Sequence, residues 1–386
     1  MITKNQPRIR IAVDCSLLSV SNSGLGRYLC ALLPRMMALA SSDIDWYLYA
    51  RSDASCRELP SAKRLRQDHL HEHIGRVLAP VLSLPIWSWR DKPDVFWAPA
   101  HRLPLWLPPT TAGVVTIHDL AWNRVPETLR RTTRLLDRSL MAHSVMSAER
   151  VIAVSHATAA DVAERWPAAG KRTCVIHNAA ESLPPPVPLT SVAPGLQERG
   201  YLLFVGTPEP RKNLPRLLEA YAMASRMQPE FPPLVIAGGN GWGGENLKAL
   251  IAQRQLAGRV HLLGPVTDPR LAALYANALC LVMPSLYEGF GLPIVEALRY
   301  GLPVVTSDNS SMPEVAGPAG LLVDSLTPDS IANGLRRIVQ DLPLQVSLAK
   351  AAEAQASLFC WDRAAEATLS VLCEAAAARR STSSRN

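Results

Sequence analysis

Two carboxylates, Glu288 and Glu296, stand with seven residues between them in the stretch Glu288-Gly289-Phe290-Gly291-Leu292-Pro293-Ile294-Val295-Glu296. Leu281-Val282-Met283-Pro284 ahead of them is apolar and reads as the end of a buried strand. Ser285 to Gly291 form a turn of small and acidic residues. Pro293 suits the first turn of a helix, where its missing N–H costs nothing, and Glu296 falls about one turn further in. Strand, glycine turn and helix N-terminus together favour an anion, through free N–H groups and the helix dipole. A bare phosphate would be repelled by the two carboxylates. A ligand carrying hydroxyls beside phosphates satisfies both features, and a sugar nucleotide is such a ligand. A second group supports this. Arg211 and Lys212 follow the apolar run Tyr201–Gly206 and precede a helical pattern over 214–227. Adjacent cations at a helix N-terminus oppose its dipole, and a diphosphate held there would account for them. A third is His118-Asp119 at the end of the apolar run 113–117, the end at which ligands of open α/β sheets bind.

The spacing of Glu288 and Glu296 within Glu-Gly-Phe-Gly-Leu-Pro, followed by Gly301-Leu302-Pro303-Val304-Val305, resembles the double-glutamate motif of retaining glycosyltransferases of family four. The resemblance spans nearly the whole chain. It implies the GT-B fold: α/β, with two Rossmann-like doubly wound domains facing across a cleft. It further implies that Arg211 and Lys212 contact the donor diphosphate, that Glu288 meets sugar hydroxyls and Glu296 the ribose, and that His118 lines the sugar pocket. Gly289, Phe290, Gly291 and Leu292 would line the donor site, with Gly206 beside the phosphates and Leu262 against the base. Many relatives carry Arg directly after the glycine where this chain has Thr207, and an acid where it has Arg211. Arg-Lys-Asn resembles a subgroup of polysaccharide and O-antigen assembly rich in mannosyl- and rhamnosyltransferases. A GDP-sugar donor is therefore favoured, with a glycan or polyprenyl-diphosphate-linked acceptor. A UDP-sugar donor, a sugar-nucleotide epimerase on the same fold and a non-catalytic binding module are the rival readings. No cofactor and no metal site are expected, because cations and a helix end would carry the diphosphate.

The elements that must position these groups alternate strand and helix, the pattern of parallel α/β sheets. The 386 residues call for two domains. Residues 1–182 read as the acceptor-side domain and 200–360 as the donor-nucleotide domain. Between them, 183–199, with five prolines (184, 185, 186, 188 and 194), reads as a stiff linker. Residues 361–378 are expected to be a helix crossing back to the first domain, and 379–386 a disordered tail. Near the N-terminus, strand Ile9–Val13 leads through Gly24-Leu25-Gly26 into a helical run, a pattern open to a nucleotide-binding turn or to a tight turn feeding a helix; the family resemblance implies that both glycines lie in a turn near the donor phosphates. The third glycine of the dinucleotide fingerprint is absent, since position 29 is Leu. Glycines 241, 243 and 244 suggest a mobile loop.

Composition narrows the class. Hydrophobic residues make up 48% and charged residues 19%, which suits a globular enzyme. The seven cysteines are scattered without a CxxC pair and read as buried small hydrophobes in a reducing compartment. No run approaches the roughly 18 apolar residues of a membrane span, and the start lacks a signal pattern, so the reading is cytoplasmic. The formal charge of +7 lies wholly in residues 1–190, which hold 23 Lys and Arg against 16 Asp and Glu. No nucleic-acid motif accompanies it. Residues 61–90 mix Lys63, Arg64, Arg66, Arg76 and Arg90 with Trp87 and Trp89, which suits an anionic membrane interface or an amphipathic helix packed on its own domain. His69, His71 and His73 in that stretch read as a solvated face.

Overall fold

A computed structural model describes residues 8–16, 18, 24–40, 43–51, 64–68, 78–226, 228–239, 241 and 246–383. The chain divides into two compact units. The first comprises residues 1–120, 131–178 and 360–386; the second comprises 121–130 and 179–359.

The first unit holds a seven-stranded parallel sheet. Its strands are β1 (Ile9–Asp14), β2 (Ile44–Arg51), β3 (Arg64–Asp68), β4 (Val95–Ala98), β5 (Ala112–Ile117), β6 (Arg150–Ala153) and β7 (Thr173–Val175), in the order β3-β2-β1-β4-β5-β6-β7. Helices α1 (Gly24–Leu39), α2 (Leu78–Asp91), α3 (Arg131–Ser147) and α4 (His156–Arg165) connect them. The second unit holds a six-stranded parallel sheet. Its strands β8 (Leu202–Val205), β9 (Leu234–Ala237), β10 (Val260–Gly264), β11 (Cys280–Met283), β12 (Val304–Ser307) and β13 (Gly320–Val323) run in the order β10-β9-β8-β11-β12-β13. Its helices include α5 (Leu214–Ser225), α6 (Leu247–Gln253), α7 (Asp268–Asn277), α8 (Leu292–Arg299), α9 (Met312–Ala316), α10 (Pro328–Gln340) and α11 (Leu342–Ser357). Strands such as Val95-Phe96-Trp97-Ala98 and Cys280-Leu281-Val282-Met283 are buried along their full length, because helices cover both faces of a parallel sheet. In each sheet the order reverses beside the first strand, at β1/β4 and at β8/β11. That is the switch point at which such sheets bind ligands beyond their carboxyl ends.

Several expectations are corrected here. Gly24 and Gly26 do not form a turn; they lie in the first turn of α1. The stretch 61–90 is not one helix, because Arg64–Asp68 pairs in parallel with β2 as an edge strand and the helix begins at Leu78. His69, His71, His73, Lys63, Arg76, Gly243 and Gly244 lie outside the described residues. The proline-rich 183–199 packs on the second unit: the Val187 and Arg199 N–H groups donate to the carbonyls of Pro269 and Asn277. Residues 121–130, placed by sequence in the first domain, group with the second unit. The expected tail is helical to Ser383, within α12 (Trp361–Ser383). Ion pairs hold that helix on the first unit: Arg35–Asp362 at 3.0 Å, Arg379–Glu149 at 3.3 Å and Arg380–Asp94 at 2.8 Å.

Arg66 also has a structural role. Its guanidinium donates to both carboxylate oxygens of Asp91, which also accepts the Tyr49 hydroxyl at 3.1 Å. The Asp91 side chain is fully buried. Removing one partner of a buried pair leaves a charge uncompensated, at a cost of about 3–5 kcal/mol. Arg66→Ala should therefore lose about 3 kcal/mol in urea unfolding, and a loss under 1 kcal/mol would count against a structural pair.

Candidate functional site

The second unit gathers its polar groups where β8, β11, β12 and β13 end. After β8 the chain runs through Gly206 to a single 3₁₀ turn, Pro210–Lys212, which places Arg211 and Lys212 side by side. Gly238, after β9, comes so close that a Cβ there would lie 2.0 Å from the Gly206 carbonyl oxygen, so no larger residue fits. Asn213 follows in the left-handed conformation, φ 61°, which Asn tolerates better than most residues. Its amide donates to the carbonyls of Pro284 at 3.0 Å and Ser325 at 2.7 Å, tying the loops after β8, β11 and β13 together.

Glu288 sits at the centre. Its carboxylate, 6% exposed, meets Lys212 Nζ at 2.6 Å and the Arg211 guanidinium, which also reaches Glu209 at 3.1 Å. Burial pushes the Glu288 carboxyl up, but Arg211 and Lys212 outweigh it and hold the group at about 2. Burial lowers the Lys212 ammonium, and Glu288 offsets part of that. The loop after β12 braces the turn from behind. The Glu288 N–H donates to Ser310 Oγ at 3.1 Å, and the Ser311 hydroxyl reaches the Glu288 and Phe290 carbonyls at 2.9 Å each. Gly291 takes φ 100° at the N-cap of α8, a conformation that favours glycine, and Leu292 and Pro293 open the helix. Gly289 is buried, and Phe290 packs edge-on against Phe359 with centroids 5.4 Å apart, a packing role. Glu296, one turn into α8, is buried and accepts the Tyr275 hydroxyl at 2.8 Å; Tyr275 in turn stacks on Tyr300. Leu262 lies within β10, half-buried against the unit's core.

Arg211, Lys212, Glu288, Gly289, Gly291, Leu292 and Glu296 thus come together with Gly206 around one switch point. Gly24, Gly26 and His118 belong to the first unit. The bracing roles of Asn213, Ser310, Ser311 and Tyr275 escaped the sequence reading, although an Asn closing a basic turn and the pair Ser310-Ser311 just after a strand were signals. The sequence also contains an Asp-x-Asp triplet, Asp43-Ile44-Asp45. It lies at the amino end of β2, with Asp45 paired to Arg8 at 3.2 Å, at the opposite end from ligand-binding loops.

In the first unit His118 follows β5 with 8% exposure. Its Nε2 lies 2.7 Å from the Pro99 carbonyl, which fixes the proton on Nε2 and leaves Nδ1 as an acceptor. Tyr28 stands edge-on at 4.7 Å and His101 at 5.4 Å. Burial pushes the His118 imidazole down to about 3, with His101 adding to the effect, against the opposing pull of the Pro99 carbonyl and Asp119. It is therefore neutral at physiological pH. It can position a hydroxyl but does not serve as a cationic acid.

Two family profiles match the chain, "Glycosyl transferases group 1" over residues 192–355 and "Glycosyltransferase Family 4" over 23–181. The O-antigen chain mannosyltransferase B of Escherichia coli is 30% identical over 368 residues, covering 90% of this chain and 95% of that protein. The chain belongs to the group 1/family 4 glycosyltransferases. Its fold is GT-B: the sucrose-phosphate synthase of Thermosynechococcus elongatus superposes with TM-score 0.73 at 20% identity, over 96% of this chain and all of that one. HepE of Anabaena, solved in complex with UDP-glucose, gives 0.68 at 19% identity, over 95% and 100%.

The depressed imidazoles of this glycosyltransferase make its stability pH-dependent. Unfolded histidine takes up a proton near pH 6.5, which folded His118 and His101 refuse. Stability should therefore fall as pH drops below about 6.5, by up to about 1.4 kcal/mol per pH unit for His118, with His101 acting in the same direction. Urea unfolding from pH 7.5 to 5 should give a shallower slope for His118→Gln than for the wild type. Equal slopes would contradict the burial argument.

Proposed function

We propose that the enzyme transfers a hexose, mannose or a related deoxyhexose, from a GDP-sugar to a glycan or lipid-linked acceptor in cell-surface polysaccharide or O-antigen assembly. Anomeric configuration would be retained. The observation that carries this reading is the Arg211–Lys212–Glu288 cluster at the start of α8, joined to the likeness with an O-antigen mannosyltransferase. Arg211 and Lys212 would hold the diphosphate with the α8 N-terminus and stabilise the leaving group, without a metal or cofactor. Glu288 would accept sugar hydroxyls, and Glu296, steadied by Tyr275, the ribose. His118 would accept a hydroxyl of the transferred hexose through Nδ1.

Calorimetry in EDTA with GDP-mannose, GDP and UDP-glucose tests this. GDP-mannose should bind most tightly, and Lys212→Ala should weaken it at least tenfold, since a charge-assisted bond contributes roughly 1.5–3 kcal/mol. Binding that needs added magnesium or manganese would refute the metal-free site, and preference for UDP-glucose would refute the donor.

Peripheral attachment to an anionic membrane face is part of the same proposal. Leu82, Ile86 and Trp89 are 51%, 64% and 48% exposed along one stripe of α2, with Arg90 beside them. No described helix is long and apolar enough to cross a membrane. A stripe of this kind suits in-plane insertion. Flotation with liposomes containing anionic lipid should recover the protein at low salt. Recovery should drop severalfold for Ile86→Ser/Trp89→Ser. Equal recovery of wild type and variant would remove α2 from the membrane.

A further inference from the structure

His101 combines three features that no part of the reading above uses. It lies just past β4, on the same carboxyl-end side of the first sheet as His118. Its backbone is left-handed, φ 59°, a conformation that β-carbon-bearing residues adopt at a cost. The bend is pinned rather than loose: the His101 N–H donates to the Thr116 carbonyl at 2.9 Å, and the next residue is fixed by the Arg102–Asp137 ion pair at 2.7 Å. Its Nδ1 is buried and, among the described residues, has no hydrogen-bond partner. A buried polar atom without a partner is costly, and so is the backbone. A purely structural position would relieve either cost with glycine or with an apolar side chain.

The surroundings indicate what Nδ1 could meet. The His101 ring stands across that of His118, 5.4 Å between centroids at 73°, and His118 is edge-on to Tyr28. Burial lowers the His101 imidazole, against the pull of Asp119 and Asp137 and with Arg102 adding to the lowering, so its ring is neutral beside a neutral neighbour. Two uncharged imidazoles and an aromatic edge do not make an anion site. They suit a polyol, whose hydroxyls both donate and accept and whose C–H faces pack on rings.

We propose that His101 is a positioning residue whose Nδ1 hydrogen-bonds a sugar hydroxyl, of either the transferred hexose or the acceptor sugar. This rests on the glycosyl-transfer reading above. Nδ1 can donate to or accept from a hydroxyl, and His118 Nδ1 offers the adjacent acceptor, so the pair would read two hydroxyls of one ring.

The test compares wild type, His101→Gly and His101→Asn in two assays, hydrolysis of GDP-mannose alone and transfer to methyl α-mannoside. Glycine relieves the backbone but removes the ring; asparagine tolerates the left-handed backbone and places an amide where Nδ1 was. KM should rise at least tenfold in His101→Gly with Tm unchanged or higher, and His101→Asn should restore most of it. A rise already present in hydrolysis assigns the donor hexose; a rise confined to methyl α-mannoside assigns the acceptor. Kinetics within twofold of wild type in a folded His101→Gly would overturn the proposal. Should that variant not fold, the wild-type imidazole ¹⁵N spectrum decides. The His101 Nδ1 resonance must move on saturation with GDP-mannose, UDP-glucose or methyl α-mannoside, and a resonance that moves with none of them overturns the proposal. A wild type inert towards GDP-mannose but responsive to UDP-glucose refutes the donor assignment and leaves His101 to be decided by that same titration.

Discussion

The second unit is organised around one buried carboxylate. Glu288 could not remain ionised at 6% exposure without compensation, because desolvation alone would favour its neutral form. Arg211 and Lys212 supply that compensation and must approach from the loop of a different strand. That requirement fixes the loop. Asn213 turns the chain left-handed immediately after the two cations, and its amide locks the turn onto the loops after β11 and β13. Ser310 and Ser311 hold the Glu288 backbone from the loop after β12. Four strand ends are therefore braced around one charge, and a shift in any of them would expose or unpair it.

The first unit solves a different problem. At its strand ends Tyr28, His101 and His118 form a ring cluster with Trp97 and Thr116 behind them, and the hydroxyl of Thr116 accepts from the Trp97 indole at 3.1 Å. Burial keeps both imidazoles neutral, so on the proposed reading recognition there would depend on hydrogen-bond direction rather than on charge. The Pro99 carbonyl sets that direction for His118 by holding its Nε2 proton.

What was legible in the sequence follows from how local each signal is. The alternation of buried strands and helices gave the doubly wound architecture, because both faces of a parallel sheet are covered and its strands read as unbroken apolar runs. The Glu288–Glu296 spacing was legible because strand, turn and helix are contiguous there. Gly24 and Gly26 misled, since glycines opening a helix and glycines in a phosphate turn look alike in one dimension. Arg66 misled for another reason: its partner Asp91 is 25 residues away, so a buried ion pair read as a surface cation. Asn213 and Ser311 were missed on the same grounds, because their partners lie on loops brought close only by the sheet order. His101 was invisible because backbone handedness leaves no mark on a His codeword.

The balance of charge in the second unit also bears on which ligand suits it. Glu209 and Glu288 together neutralise Arg211 and Lys212 in the protein as it stands. On the proposed reading, an incoming diphosphate draws donors from these cations away from Glu288. The carboxylate then loses part of what holds it near 2, while remaining buried. It must regain hydrogen bonds or take up a proton. A bare nucleoside diphosphate offers nothing in return. A sugar nucleotide brings hydroxyl donors attached to the same phosphates, and those can occupy the positions the cations vacate. On that reading the exchange would favour the intact donor over its diphosphate product. Once the sugar had been transferred, Glu288 would compete for Arg211 and Lys212 again, and that competition would assist release of the product.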